Sequence, residues 1–152
     1  MSPAGHTHGK VAARVTARMG SFVEEKQLGE VYAAETGFKI RQDPDTVRAP
    51  DVAFVSADRL KDAGVSAEGF FPGPPDLAVE VVSPGDSYGD VEAKVSEWLQ
   101  SGVRAVVVLD PRRKAGTLYR TGAEVVFLTA QDLLAVPEVL PGWSLPLSAV
   151  FR

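Results

Sequence analysis

From Asp76 to Leu109 the chain reads strand, helix, strand, and that succession restricts its fold more than any other feature it carries. Asp76 to Val82 is apolar after its first residue apart from Glu80, and it ends at Ser83-Pro84-Gly85. Asp90 to Gln100 places Val91, Val95, Trp98 and Leu99 at helical spacing and stops at Gly102. Val103 to Leu109 is an unbroken apolar run closed by Asp110-Pro111. A crossover through the helix is the natural connection between two such strands.

The flanking segments add to the same sheet. Val11, Val15, Met19 and Phe22 fall on one helical face, and Gly29 is the expected stop of that helix. Glu30 to Ala34 and Gly37 to Arg41 read as a hairpin or bent strand pair, followed by the turn residues Gln42-Asp43-Pro44-Asp45. Arg48 to Ser56 is apolar on both alternating faces and reads as a central strand covered on both sides. Lys61 to Pro75, with three glycines and three prolines, reads as a loop, and Gly116 to Arg120 with Glu124 to Thr129 as a closing hairpin about Thr121-Gly122. The class is α/β: a mixed sheet with one helix before it and a crossover helix within it, parallel and antiparallel pairs left open. At 152 residues this is a single domain, expected over residues 11–152 behind a flexible leader of residues 1–10.

Composition removes several chemistries. Cysteine is absent, which excludes disulfides, thiolate nucleophiles and thiolate-bound zinc, and the two histidines, His6 and His8, both fall in the expected leader. A metal would therefore be held mainly by carboxylates and carbonyls, which favours a hard cation such as Mg²⁺ or Mn²⁺. The formal charge of −4 argues against a protein that coats nucleic acid, although a local basic patch or a bridging cation leaves nucleic acid open as a substrate. No apolar run approaches the roughly 20 residues of a membrane span, and the first ten residues lack the apolar core of a secretion signal. The expected location is the cytoplasm.

Two carboxylates and one ammonium stand out. Asp51 opens a core strand after Pro50, where capping a turn or pairing with Arg48 is the plainer role. Glu80 has Leu77, Ala78, Val79, Val81 and Val82 around it and no local partner, so either a functional role or a structural ion pair must offset its burial. Lys94 lies roughly 60° from Val91 and roughly 40° from Trp98 on the helical wheel, at the edge of the apolar stripe, where it could also simply cover apolar surface with its stem. Two carboxylates can bind a divalent cation while the ammonium orients water and offsets charge on a phosphoryl group. Weaker candidates are Asp76 and Asp90, better explained by turn and helix-start roles, Asp86, Glu35 near Gly37, and Ser83, better explained as a turn cap. Arg112-Arg113-Lys114, Arg14 and Arg18 are solvated charges by default and phosphate contacts if the site is real.

These residues carry a family resemblance. Val47-Arg48-Ala49-Pro50-Asp51-Val52-Ala53-Phe54-Val55, Pro75-Asp76-Leu77-Ala78-Val79-Glu80-Val81-Val82-Ser83-Pro84, Asp90, Lys94, Gly102-Val103 and Val108-Leu109-Asp110-Pro111 stand in the order seen in the Uma family of restriction endonuclease-like proteins. The chain resembles that family from about Gly29 to Phe151. The resemblance implies a PD-(D/E)xK nuclease fold, a central mixed sheet flanked by helices, with a divalent metal held by Asp51 and Glu80. Two residues after the acid stands Val82 rather than lysine, and the family pattern then assigns the ammonium to Lys94.

Two functions follow as expectations. The first is a divalent-metal-dependent endonuclease that hydrolyses DNA phosphodiester bonds with Asp51, Glu80 and Lys94, a homodimer being favoured if both strands are cut. The second is a non-catalytic binding or scaffold protein in which the three residues form a satisfied ionic cluster. Metal binding that depends on Asp51 and Glu80 separates them.

Overall fold

The computed structural model of the chain describes residues 3–64 and 68–152. Val11, Val15, Met19 and Val23 recur every fourth position, form one stripe of helix α1 (His6–Lys26) and are all buried. The helix begins at His6, so residues 6–10, expected in a flexible leader, form its first turns. It ends at Gln27 rather than Gly29. Gln27 adopts the left-handed conformation (φ 55°), and the N–H groups of Gln27 and Leu28 bond the carbonyls of Glu24 and Val23.

Gly29 instead opens strand β1 (Gly29–Tyr32). The next extended segments are β2 (Phe38–Arg41), β3 (Thr46–Arg48) and β4 (Val52–Ser56). The hairpin joins β2 to β3 around Asp43-Pro44, whereas β1 lies antiparallel to β4, so the expected pairing of residues 30–34 with 37–41 is replaced by two separate ladders. The single strand expected from Arg48 to Ser56 breaks between β3 and β4, where Pro50 has no N–H to give a ladder. The expected loop from Lys61 to Pro75 receives the end of a short helix α2 (Ala57–Ala63), begun by the Ser56 side chain accepting the Arg59 N–H, and a strand β5 (Phe71–Pro72) parallel to β2. Residues 65–67 of it lie outside the described residues.

The crossover is present as β6 (Leu77–Val81), α3 (Tyr88–Ser101) and β7 (Ala105–Asp110), with β6 and β7 parallel and Glu80 opposite Val108. Ser87 and Asp90 cap the start of α3 reciprocally, and Gly102 closes it at φ 105°. The closing hairpin is β8 (Ala115–Arg120) with β9 (Val126–Leu128). Six strands form one sheet in the order β1-β4-β6-β7-β8-β9, and β3-β2-β5 form a second. The chain ends with a pair of strands, β10 (Leu133–Ala135) and β11 (Ser144–Pro146), and helix α4 (Leu147–Phe151).

Alternation along the central strands builds a core on each face of the sheet. Val52, Phe54, Leu77, Val79, Val107 and Leu109 pack with the stripe of α1. Ala53, Val55, Ala78, Val106 and Val108 pack with Val95 and Trp98 of α3 and with Phe38 and Phe71 of the small sheet. Both faces of the crossover strands are thereby covered, as the apolar runs require. Among the described residues no helix is long and apolar enough to cross a membrane.

Candidate active site

The register of β4 against β6 decides where the two carboxylates stand. Val52 faces Val79 and Ala53 faces Ala78, and the same register carried one step outward sets Asp51 opposite Glu80. The Asp51 N–H donates to the Val79 carbonyl at 3.1 Å, and its side-chain Oδ2 accepts the Val81 N–H at 2.7 Å. Asp51 is thus fixed by backbone and side chain to the C-terminal end of β6. Strand alternation turns Glu80, two residues beyond Ala78, toward α3.

There the Trp98 indole Nε1 donates to Glu80 Oε1 at 3.0 Å. The Glu80 carboxyl is pushed up from its usual 4.5 to about 7, first by burial, then by the charge of Asp51 and more weakly by that of Asp86. The Trp98 hydrogen bond and the Lys94 ammonium oppose the shift without cancelling it. Lys94, Glu80 and Asp86 line one narrow cleft with Val81, Val82 and Val91, a space of about 10 Å³. That is room for about one small sphere, a water or a cation. Asp86 is held at the cleft by accepting the Ser83 N–H at 2.9 Å.

The structure adds a neighbour that local reading of the sequence missed. His8 Nε2 stands 3.2 Å from Asp51 Oδ2, with side chains only 13% and 19% exposed. The signal lay in the period of α1: His8 is three residues before Val11 and seven before Val15, so it continues the buried stripe to the rim of the sheet. Arg48, the structural partner considered for Asp51, pairs with Glu97 instead.

The weaker candidates separate cleanly. Asp76 is buried, accepts the Ser56 N–H at 2.7 Å and faces Arg59 at 3.6 Å, so it ties strands together. Asp90 completes the cap of α3, and its carboxyl is held below the usual range by the Ser87 hydrogen bonds. Ser83 belongs to a turn closed by Asp86, and Glu35 is exposed in a turn at φ 70°. Arg14 is occupied, donating to the carbonyls of Val150 and Arg152. The Arg112-Arg113-Lys114 turn is exposed and follows β7, which runs parallel to β6, so it sits at the same end of the sheet as Glu80.

Among the described residues no three His, Asp or Glu side chains converge into a ready-made metal cage. The donor set nevertheless fits a hard divalent cation, because Mg²⁺ commonly binds through one or two carboxylates and keeps several waters. The fit rests on geometry: Asp51 is fixed at the C-terminal end of β6, one strand across from Glu80, whose carboxyl is raised first by burial and then by the Asp51 charge.

Comparison with known proteins agrees with this architecture. A solved structure from Anabaena variabilis ATCC 29413, titled a "putative nuclease belonging to DUF820", superposes with a TM-score of 0.81 at 19% identity, over 99% of this chain and 83% of that one. At that identity the likeness establishes the fold, a single α/β domain with a mixed sheet. Comparison with curated proteins gave no match. The family described as "Uma2: Putative restriction endonuclease" matches residues 1–148, nearly the whole chain, and the protein belongs to that family.

Proposed function

We propose that the protein is a divalent-metal-dependent endonuclease of the cytoplasm that hydrolyses DNA phosphodiester bonds, with Asp51 and Glu80 as metal ligands and Lys94 as the catalytic ammonium. The observation that carries this reading is the Glu80 environment: a largely buried carboxyl opposite Asp51, raised to about 7, with a lysine from the crossover helix in the same cleft. A perturbed carboxyl in a cleft with charged partners is characteristic of sites that bind metal or move protons. A divalent cation held there supplies positive charge for the scissile phosphate and lowers the pKa of attacking water.

The chain's own residues account for the remaining steps. Asp51, pinned by the Val81 N–H, offers its carboxylate in a fixed orientation at the strand end. Glu80 would hold the cation as a carboxylate, and the cation's charge would favour that ionised form against the burial that raises its pKa. Lys94 sits where its ammonium can orient water and stabilise negative charge developing on the phosphoryl oxygens. The exposed Arg112, Arg113 and Lys114 flank the site at the same sheet end and suit contacts to the DNA backbone.

A scaffold reading draws on one observation, that Glu80 already has a hydrogen-bond donor in Trp98 and a cation in Lys94. The two readings diverge on metal. Mg²⁺ or Mn²⁺ is expected to raise the thermal midpoint of the wild type, through binding to the native state alone, and to lose most of that effect in Asp51→Asn and Glu80→Gln. Equal shifts in all three proteins, or none in the wild type, would favour the scaffold.

A further inference from the structure

We infer that His8 is a positioning residue for the metal site: it holds the Asp51 carboxylate from the side of α1, so that Oδ2 is engaged by the protein and Oδ1 is left for the cation. The inference rests on the proposed role of Asp51 as a ligand and adds to that site a residue from an element on the other side of the sheet.

Three observations converge on it. His8 Nε2 is 3.2 Å from Asp51 Oδ2, and the same oxygen accepts the Val81 N–H at 2.7 Å. An imidazole with its hydrogen on Nε2 would present that hydrogen to the carboxylate. One oxygen of Asp51 thus accepts a β6 amide hydrogen and has an imidazole nitrogen beside it. The contact is also sheltered, with the His8 side chain 13% exposed and that of Asp51 19%, which reduces screening by solvent. Finally, α1 is a rigid mount. Its stripe of Val11, Val15, Met19 and Val23 is buried against the sheet, and Arg14 ties its N-terminal half to the carbonyls of Val150 and Arg152. Partners of ligating carboxylates matter to metal affinity: losing one typically weakens binding by about 10- to 100-fold.

The test uses Mn²⁺ alone as the probe, its free fraction read by electron paramagnetic resonance in the full chain. His8→Ala is expected to weaken Mn²⁺ binding by about tenfold, while His8→Gln, which keeps a side-chain N–H donor, recovers a substantial part of the loss. In an Asp51→Asn background His8→Ala should have no further effect, because the histidine acts through that carboxylate. Pulsed measurements on bound Mn²⁺ should show no directly coordinated imidazole nitrogen, and with only two histidines in the chain, His6→Ala identifies the source of any such signal. Unchanged affinity in His8→Ala, an equal loss in the Asp51→Asn background, or a nitrogen signal abolished by His8→Ala would each overturn the positioning role. Wild-type protein that binds no Mn²⁺ would overturn the metal-site reading itself, and with it this inference. Those outcomes are therefore distinguishable.

Discussion

Glu80 concentrates the chemistry of the site in one titration. Its folded-state pKa of about 7 exceeds the usual 4.5, so between those values the native protein binds more protons than the unfolded chain. Metal-free protein should therefore be most stable, in this contribution, below about pH 4.5, lose stability as pH rises toward 7, and level off above it; the full effect is about 3 kcal/mol. Urea unfolding across that range should show the decline in wild type and its absence in Glu80→Gln; an unchanged slope in the variant would place the titrating group elsewhere. The prominence of Glu80 was legible in the sequence because a charge inside an apolar strand needs an explanation. That Trp98 supplies its hydrogen bond was not, since at helical spacing a tryptophan reads as core packing and its indole N–H has no signature of its own. His8 was missed because the first polar residues look like a leader until the stripe of α1 is extended backward through them.

The elements most legible in sequence were those with local punctuation. The crossover emerges where expected because Ser83-Pro84-Gly85, Gly102 and Asp110-Pro111 mark its ends. The N-terminal strands were misassigned because adjacency in sequence was read as pairing. In the folded chain Gly29 (φ 152°) lies so near β4 that a Cβ would collide with the Val55 carbonyl, a long-range contact with no local pattern to announce it. Helix α3 matters most to the proposed site, because it carries both Lys94 and Trp98 on a start fixed by Ser87 and Asp90. Ser87→Ala should lower stability by about 1 kcal/mol in urea unfolding, through loss of the cap. A change near zero would mean that packing of Val95 and Trp98 alone sets the helix start.

At the scale of the whole molecule, the proposed DNA substrate requires an acidic chain with net charge −4 to meet a polyanion through a local feature. The parallel pairing of β6 and β7 supplies one by placing the Arg112-Arg113-Lys114 turn at the sheet end where Glu80 and Asp51 stand. The fold class followed from apolar periodicity and motif order, whereas the side-chain geometry that joins β4, β6, α3 and α1 at one rim depends on register that no single segment encodes. Family membership and a shared fold give that rim a nuclease context without specifying its activity. The most direct measurement is cleavage of supercoiled plasmid at low salt by purified protein with Mg²⁺ or Mn²⁺, set beside Glu80→Gln, Lys94→Ala and a chelator control. The expected result is slow nicking that requires the divalent ion, disappears in Glu80→Gln, falls strongly in Lys94→Ala and weakens as salt is raised. No cleavage of supercoiled, duplex or single-stranded DNA by folded, metal-loaded protein, or cleavage that persists in Glu80→Gln, would contradict it.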